Sequence, residues 1–142
     1  MEIIPNVFNG CGKLGDFNWM ANQPEYDDIL FIFNDNEEYH HTNVIGGGNA
    51  IMRQYNKYND ELPKPRSAGI PTGTLVCGGY DEFTDEIKNI IDESIKEIKE
   101  IIIKYNYKKI AYSSNEDGSL ATAIFDVDKD VLKYIIQQIY KL

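Results

Sequence analysis

Cysteine is scarce in this chain of 142 residues: Cys11 and Cys77 are the two it has. Neither stands in a CxxC or Cys/His spacing, so there is no disulfide framework and no zinc or redox motif, and both are expected as free thiols in a reducing compartment. Long hydrophobic runs are missing as well. The densest apolar cluster, around Ile101 to Ile103, falls far short of the roughly 20 residues that a membrane-spanning helix needs. The start, MEIIPNVFNG, lacks the basic and apolar regions of a signal peptide. A cytoplasmic protein without membrane contact is the expectation. Positive charge is in short supply too. Fourteen Lys and Arg face 23 Asp and Glu, a net charge of -9, and the resulting field repels phosphate backbones, which argues against non-specific nucleic-acid binding.

What is present is the composition of an ordinary folded domain, 42% hydrophobic and 26% charged, and the length suits a single domain over 1–142. Ten of the 11 glycines lie at or before Gly79, so loops are expected to dominate the first half and regular elements the second. Residues 1–28 read as a loop-rich segment of uncertain placement. ILFIF (Ile29 to Phe33) is short, continuous and rich in β-formers, the pattern of a strand buried on both faces. NAIMRQY after Gly48 reads as a short helix. Pro and Gly break up KPRSAGIPTGTLVCGGYDEF, leaving room for short strands around Gly69 to Ile70 and Thr74 to Cys77. From Thr84, an N-cap followed by Asp85 and Glu86, apolar residues recur at Ile87, Ile90, Ile91, Ile95, Ile98, Ile101 and Ile102, which predicts one long amphipathic helix. KKIAYS reads as a strand. Asp128 can cap a last helix with the stripe Val131, Leu132, Ile135, Ile136 and Ile139. The alternation of strands and helices implies an α/β fold.

Ligands of open α/β sheets sit beyond the carboxyl ends of the strands. Three loops qualify: NDNEEYHHTNVIGGGNA, AGIPTG with Thr72, and SSNEDGSLATAIF, which begins at Ser113 after the strand ending near Tyr112. Asn34, Asp35 and Asn36 can hydrogen-bond a ribose or base edge, and the N–H groups of Gly46, Gly47 and Gly48 can receive an anion at the start of a helix. A tight turn is the competing reading of the glycines. GGGNAI does not close a strand-to-helix turn, and GCGKLG lacks the Walker spacing, so dinucleotide and P-loop fingerprints both fail. Arg53 and Arg66, the only arginines, border these loops and suit either an anion pocket or ordinary ion pairs. His40 and His41 are adjacent but lack HxxxH or HExxH spacing, so no metal and no cofactor is expected.

The order of LFIFNDN, GGGNAIMR, AGIPTG and GSLATAIFDVDKDV resembles the macro domain, an ADP-ribose-binding α/β/α module, from about Ile29 onward. The resemblance implies a three-layer α/β/α sandwich with a mixed sheet. It also implies a distal-ribose site at Asn36 and Gly46 to Gly48 with Asn49 beside them, and a phosphate loop at Ala121 to Phe125 with Thr122 central and Phe125 flanking the nucleotide. Both glycines of the family's phosphate loop are Ala121 and Ala123 here, which narrows backbone freedom and the approach of a pyrophosphate. The backbone of Gly118, Ser119, Leu120, Ala121, Thr122 and Ala123 would complete the anion site.

The leading expectation is binding of an ADP-ribose-type or other nucleotide-derived small molecule. Alternatives are an ADP-ribosyl hydrolase, with Asp35 or His41 as candidate bases, a viral or phage protein that sequesters a nucleotide signal, and a protein-interaction scaffold that has lost the pocket.

Overall fold

The computed structural model describes residues 1–122 and 125–142. Four strands form one sheet in the order β1-β6-β2-β3: β1 (Glu2–Asn6), β2 (Ile29–Asp35), β3 (Ser67–Pro71) and β6 (Lys109–Ser113). Every pairing in it is parallel. The expected mixed sheet is therefore corrected. Antiparallel pairing occurs, among the described residues, only in the two-residue ribbon of β4 (Gly73–Thr74) with β5 (Gly78–Gly79) and in the isolated bridge Ser114 to Leu120. A chain that returns through a helix or long loop after each strand brings the next strand in parallel.

β2 is central and buried, and its side chains alternate between two hydrophobic clusters on opposite faces, as the twofold pleat requires. Leu30 and Ile32 join Ala68, Ile70, Ile110 and Tyr112 under the helices α2 (Asp85–Tyr105) and α3 (Lys129–Ile139). Phe31 and Phe33 join Phe17 and Met20 of α1 (Phe17–Ala21) and Met52 of the 3₁₀ segment Gly48–Tyr55 on the other face. With both faces covered, ILFIF reads as an unbroken apolar run.

The helix boundaries follow local signals. Thr84 Oγ1 accepts from Ile87 N at 3.2 Å and Asn106 closes α2 in the left-handed region at φ 58°. Asp128 accepts from Asp130 N at 3.0 Å at the start of α3. The expected helix after Gly48 is a 3₁₀ segment, which buries the adjacent residues Met52 and Arg53, one in the apolar cluster and one in a polar network.

The N-terminal segment is more ordered than a loop. β1 pairs with β6 at the sheet edge, with Pro5 opposite Tyr112, an edge being where a strand tolerates a missing N–H. Asp16 caps α1. Arg66 fastens the connection that follows, donating to Ala21 O at 3.1 Å and Tyr26 O at 2.7 Å. Arg66 thus holds the N-terminal segment to the sheet and does not border the loops that were expected to form an anion pocket. Among the described residues no helix is long and apolar enough to cross a membrane.

Candidate functional site

A cleft of about 380 Å³ opens at the carboxyl end of the sheet, where a parallel α/β sheet leaves a crevice. The volume falls in the range of small-molecule sites, about 300–1,000 Å³. Asn34, Asp35 and Asn36 at the end of β2 form its floor with Thr72, which follows β3. Gly46, Gly47, Gly48, Asn49 and Arg53 form one side, and Thr122 and Phe125 belong to the stretch after β6. Three loops distant in sequence therefore meet in one place.

The three consecutive glycines serve different ends. A Cβ on Gly46 would lie 2.9 Å from Arg53 Nη1 and 3.0 Å from the Ala50 Cβ, so this glycine is required by close contact. Gly48 has φ 57°, a left-handed conformation that a Cβ disfavours. Gly47 has neither constraint: its φ is -75° and ψ 160°, and a Cβ there would meet no described atom within 4 Å. Among the described residues nothing accepts a hydrogen bond from the N–H of Gly47 or Gly48. These donors open the 3₁₀ segment, where the first N–H groups lack partners within the helix.

Arg53 is almost fully buried, 2% exposed, and its guanidinium is already engaged. Nε donates to Asp35 Oδ1 at 2.7 Å, Nη2 lies 2.6 Å from the same oxygen, and Nη1 donates to Val44 O at 3.2 Å. The Tyr39 ring stacks on it at 5.2 Å. Arg53 is thus neutralised within the fold, and the expected anion clamp is instead the partner of Asp35. Burial pushes the Asp35 carboxyl up, but the nearby His40 ring and the hydrogen bond and charge of Arg53 outweigh it and hold the group below its ordinary value. Gly69 leaves room for this carboxylate, since a Cβ there would lie 2.8 Å from Asp35 Oδ2.

Asn34 and Asn36 differ in what they have left to offer. The Asn34 amide donates to Ala121 O and ties the loop after β6 to β2. Asn36 Oδ1 accepts from Tyr39 N at 3.1 Å, and its amide NH₂ has no acceptor among the described residues. Thr72 is buried, with its N–H on Asp35 O at 2.9 Å.

Several expected site residues lie elsewhere. Ser113, Gly118, Ser119, Leu120 and Ala121 do not line the cleft. They form a turn in which Gly118 O accepts from Tyr112 OH at 2.7 Å, Leu120 is buried in the core and Ala121 N donates to Ser113 O at 3.0 Å. This turn brings Thr122 to the cleft. Ala123 lies outside the described residues. His41, a candidate base, does not line the cleft and has Glu97 Oε1 3.7 Å from its Nε2. Its neighbour His40 is buried, with Nδ1 3.5 Å from Asp35 Oδ2.

The sequence reading missed the apolar wall: Tyr39, Val44, Ile45, Ala50 and Leu75 all line the cleft. Tyr39, Val44, Ile45 and Leu75 are also exposed. Glu38 holds Leu75 in place, both carboxylate oxygens accepting from Leu75 N at 3.0 Å. Exposed Val and Ile beside a glycine cluster were the available signal, because isolated surface apolar residues are common but a group at a loop junction marks a binding surface.

Comparison with family models finds no match, and neither the curated proteins nor the solved structures yield one.

Proposed function

We propose that this protein binds an ADP-ribose-type or other nucleotide-derived small molecule in the cleft, and that its fold is a divergent, macro-domain-like three-layer α/β/α arrangement. The observation that carries the reading is the pairing of an apolar wall with unpartnered backbone donors at the carboxyl end of a parallel sheet. A planar base can lie against Tyr39, Ile45 and Phe125, since aromatic and aliphatic faces bury its apolar surface. The N–H groups of Gly47 and Gly48 suit a phosphate, and the Asn36 amide suits a ribose hydroxyl or base carbonyl.

Binding without turnover is the economical form of the proposal. A general base must reach the proton it abstracts. Asp35 has Oδ1 taken up by Arg53 and Oδ2 buried beside His40, and His41 lies outside the cleft lining. Neither candidate is poised to activate water, which disfavours the hydrolase alternative.

Calorimetric titration with ADP-ribose, NAD, AMP and cyclic nucleotides, followed by chromatography of the mixtures, tests this reading. Saturable binding with intact ligand, weakened at least tenfold by Asn36→Ala, is the expected result. New products would replace the binder with the hydrolase. Silence across the whole panel would reject the nucleotide reading and favour a protein partner, for which the exposed Val44, Ile45, Leu75 and Val76 offer an apolar contact surface.

A further inference from the structure

Beneath the loop that carries Tyr39, outside the cleft lining, three potential metal-ligating groups converge. One ring nitrogen each of His40 and His41 and one carboxylate oxygen of Glu97 all lie within 4.8 Å of one another. The two nearest approaches to the carboxylate are 3.9 Å from His40 Nε2 to Oε2 and 3.7 Å from His41 Nε2 to Oε1. Ligands of a tetrahedral zinc ion with bonds near 2.1 Å stand roughly 3.4 Å apart, so donors up to 4.8 Å apart have to draw together by as much as about 1.4 Å to close on one, a movement open to the exposed His41 side chain.

The protonation of His40 follows from its neighbours. Nδ1 faces Asp35 Oδ2 at 3.5 Å, and an ionised carboxylate can only accept, so the ring proton belongs on Nδ1. On the other side, Ser94 Oγ lies 3.2 Å from Nε2 and 3.1 Å from Ile90 O, so its single rotatable proton is shared between these two acceptors. Nε2 is then an acceptor, within reach of the Ser94 hydroxyl and 3.9 Å from Glu97 Oε2, and a metal would displace only that neutral hydroxyl contact. A carboxylate behind one imidazole nitrogen with the metal at the other is the arrangement that fixes the tautomer and raises the basicity of metal-binding histidines. Both His40 Nδ1 and Asp35 Oδ2 are buried atoms without a hydrogen bond of acceptable geometry, a mismatch that a small rotation of the ring toward a metal can relieve.

We infer that His40, His41 and Glu97 form a binding site for a transition-metal dication of the zinc class. Two imidazoles and one carboxylate form a borderline donor set that favours zinc and its first-row neighbours over magnesium or calcium. His41 is 69% exposed at its side chain, so the fourth position faces water. Glu97 is occupied at present by Tyr58 OH at 3.1 Å and by Lys57 Nζ at 3.5 Å, both on Oε1. Metal entry displaces the Lys57 ammonium, which is partly exposed, and leaves Oε2 to bind. The site joins the loop after β2 to the middle of α2, so a metal there cross-links the Tyr39 side of the cleft to a rigid helix. The proposal is independent of the identity of the cleft ligand.

The test is titration of the tag-free protein with zinc sulfate in a calorimeter, in a Cys11→Ser, Cys77→Ser background that removes the exposed thiols. One zinc per chain with a raised melting temperature is expected. His41→Ala and Glu97→Gln, whose side chains are not part of the core, should each lower zinc affinity at least tenfold while the metal-free protein stays folded, its melting lowered only by the small cost of the lost surface contacts of Lys57 and Tyr58. Absence of saturable one-to-one uptake, or uptake at full affinity in His41→Ala, would overturn the proposal.

Discussion

Gly46 and Gly47 are neighbours under opposite constraints, and the difference separates a packing role from a binding role. At Gly46 a methyl group would press on Arg53 and Ala50, so Gly46→Ala should cost about 1–3 kcal/mol by overpacking. At Gly47 the backbone suits any residue and the space is open. Gly47→Ala should therefore hold stability, or raise it by about 0.4–1 kcal/mol through the unfolded chain, while weakening ADP-ribose binding at least tenfold by blocking approach to the N–H groups. Urea denaturation and calorimetry of the two variants read both effects. Arg53 belongs with Gly46. Removing one member of a buried ion pair typically costs about 3–5 kcal/mol, so Arg53→Ala should shift the denaturation midpoint strongly, and any loss of binding in that variant would follow loss of the fold.

At the scale of elements, local chemistry decides where α2 begins. Thr84 supplies a side-chain acceptor to an otherwise unpaired N–H, and Thr84→Ala should cost about 1 kcal/mol in equilibrium unfolding. Such features were legible in the sequence because cap, first-turn charges and apolar spacing act within a few residues, and the same holds for the unbroken apolar run of β2. β1 was not legible. EIIPN contains a proline and becomes a strand only by pairing with β6, more than a hundred residues later. Asn34, Asp35, Asn36, the glycines, Arg53, Thr72, Thr122 and Phe125 could be placed near one site because the strand-end rule is topological. The roles within that set could not: that Arg53 faces Asp35, that Asn34 holds Ala121 and that His40 is buried against Asp35 and Ser94 are outcomes of tertiary contact.

For the whole molecule, tyrosines tie the layers together and should govern its behaviour in alkali. Tyr58, Tyr80 and Tyr112 are all held above the ordinary phenol value, burial being the largest cause in each. Burial likewise pushes Tyr107 up to about 12, and its hydroxyl donates to Pro65 O. Below pH about 10 the phenol is neutral in both states and its contribution is complete; above that the unfolded chain ionises first, so stability falls as pH rises toward 12. Melting temperature followed from pH 8 to 12 should show this decline, and Tyr107→Phe should reduce its slope. The net negative charge adds self-repulsion in the same direction.

Binding in the cleft requires a ligand to meet the glycine backbone beside an apolar wall. The most direct measurement is an amide NMR spectrum of the ¹⁵N-labelled protein, recorded with and without ADP-ribose. Shifts concentrated at the Gly47 and Gly48 N–H groups, the Asn36 side-chain amide and the backbone of Phe125 are the predicted result. A spectrum unchanged at saturating ligand, or shifts confined to residues away from the cleft, would contradict it.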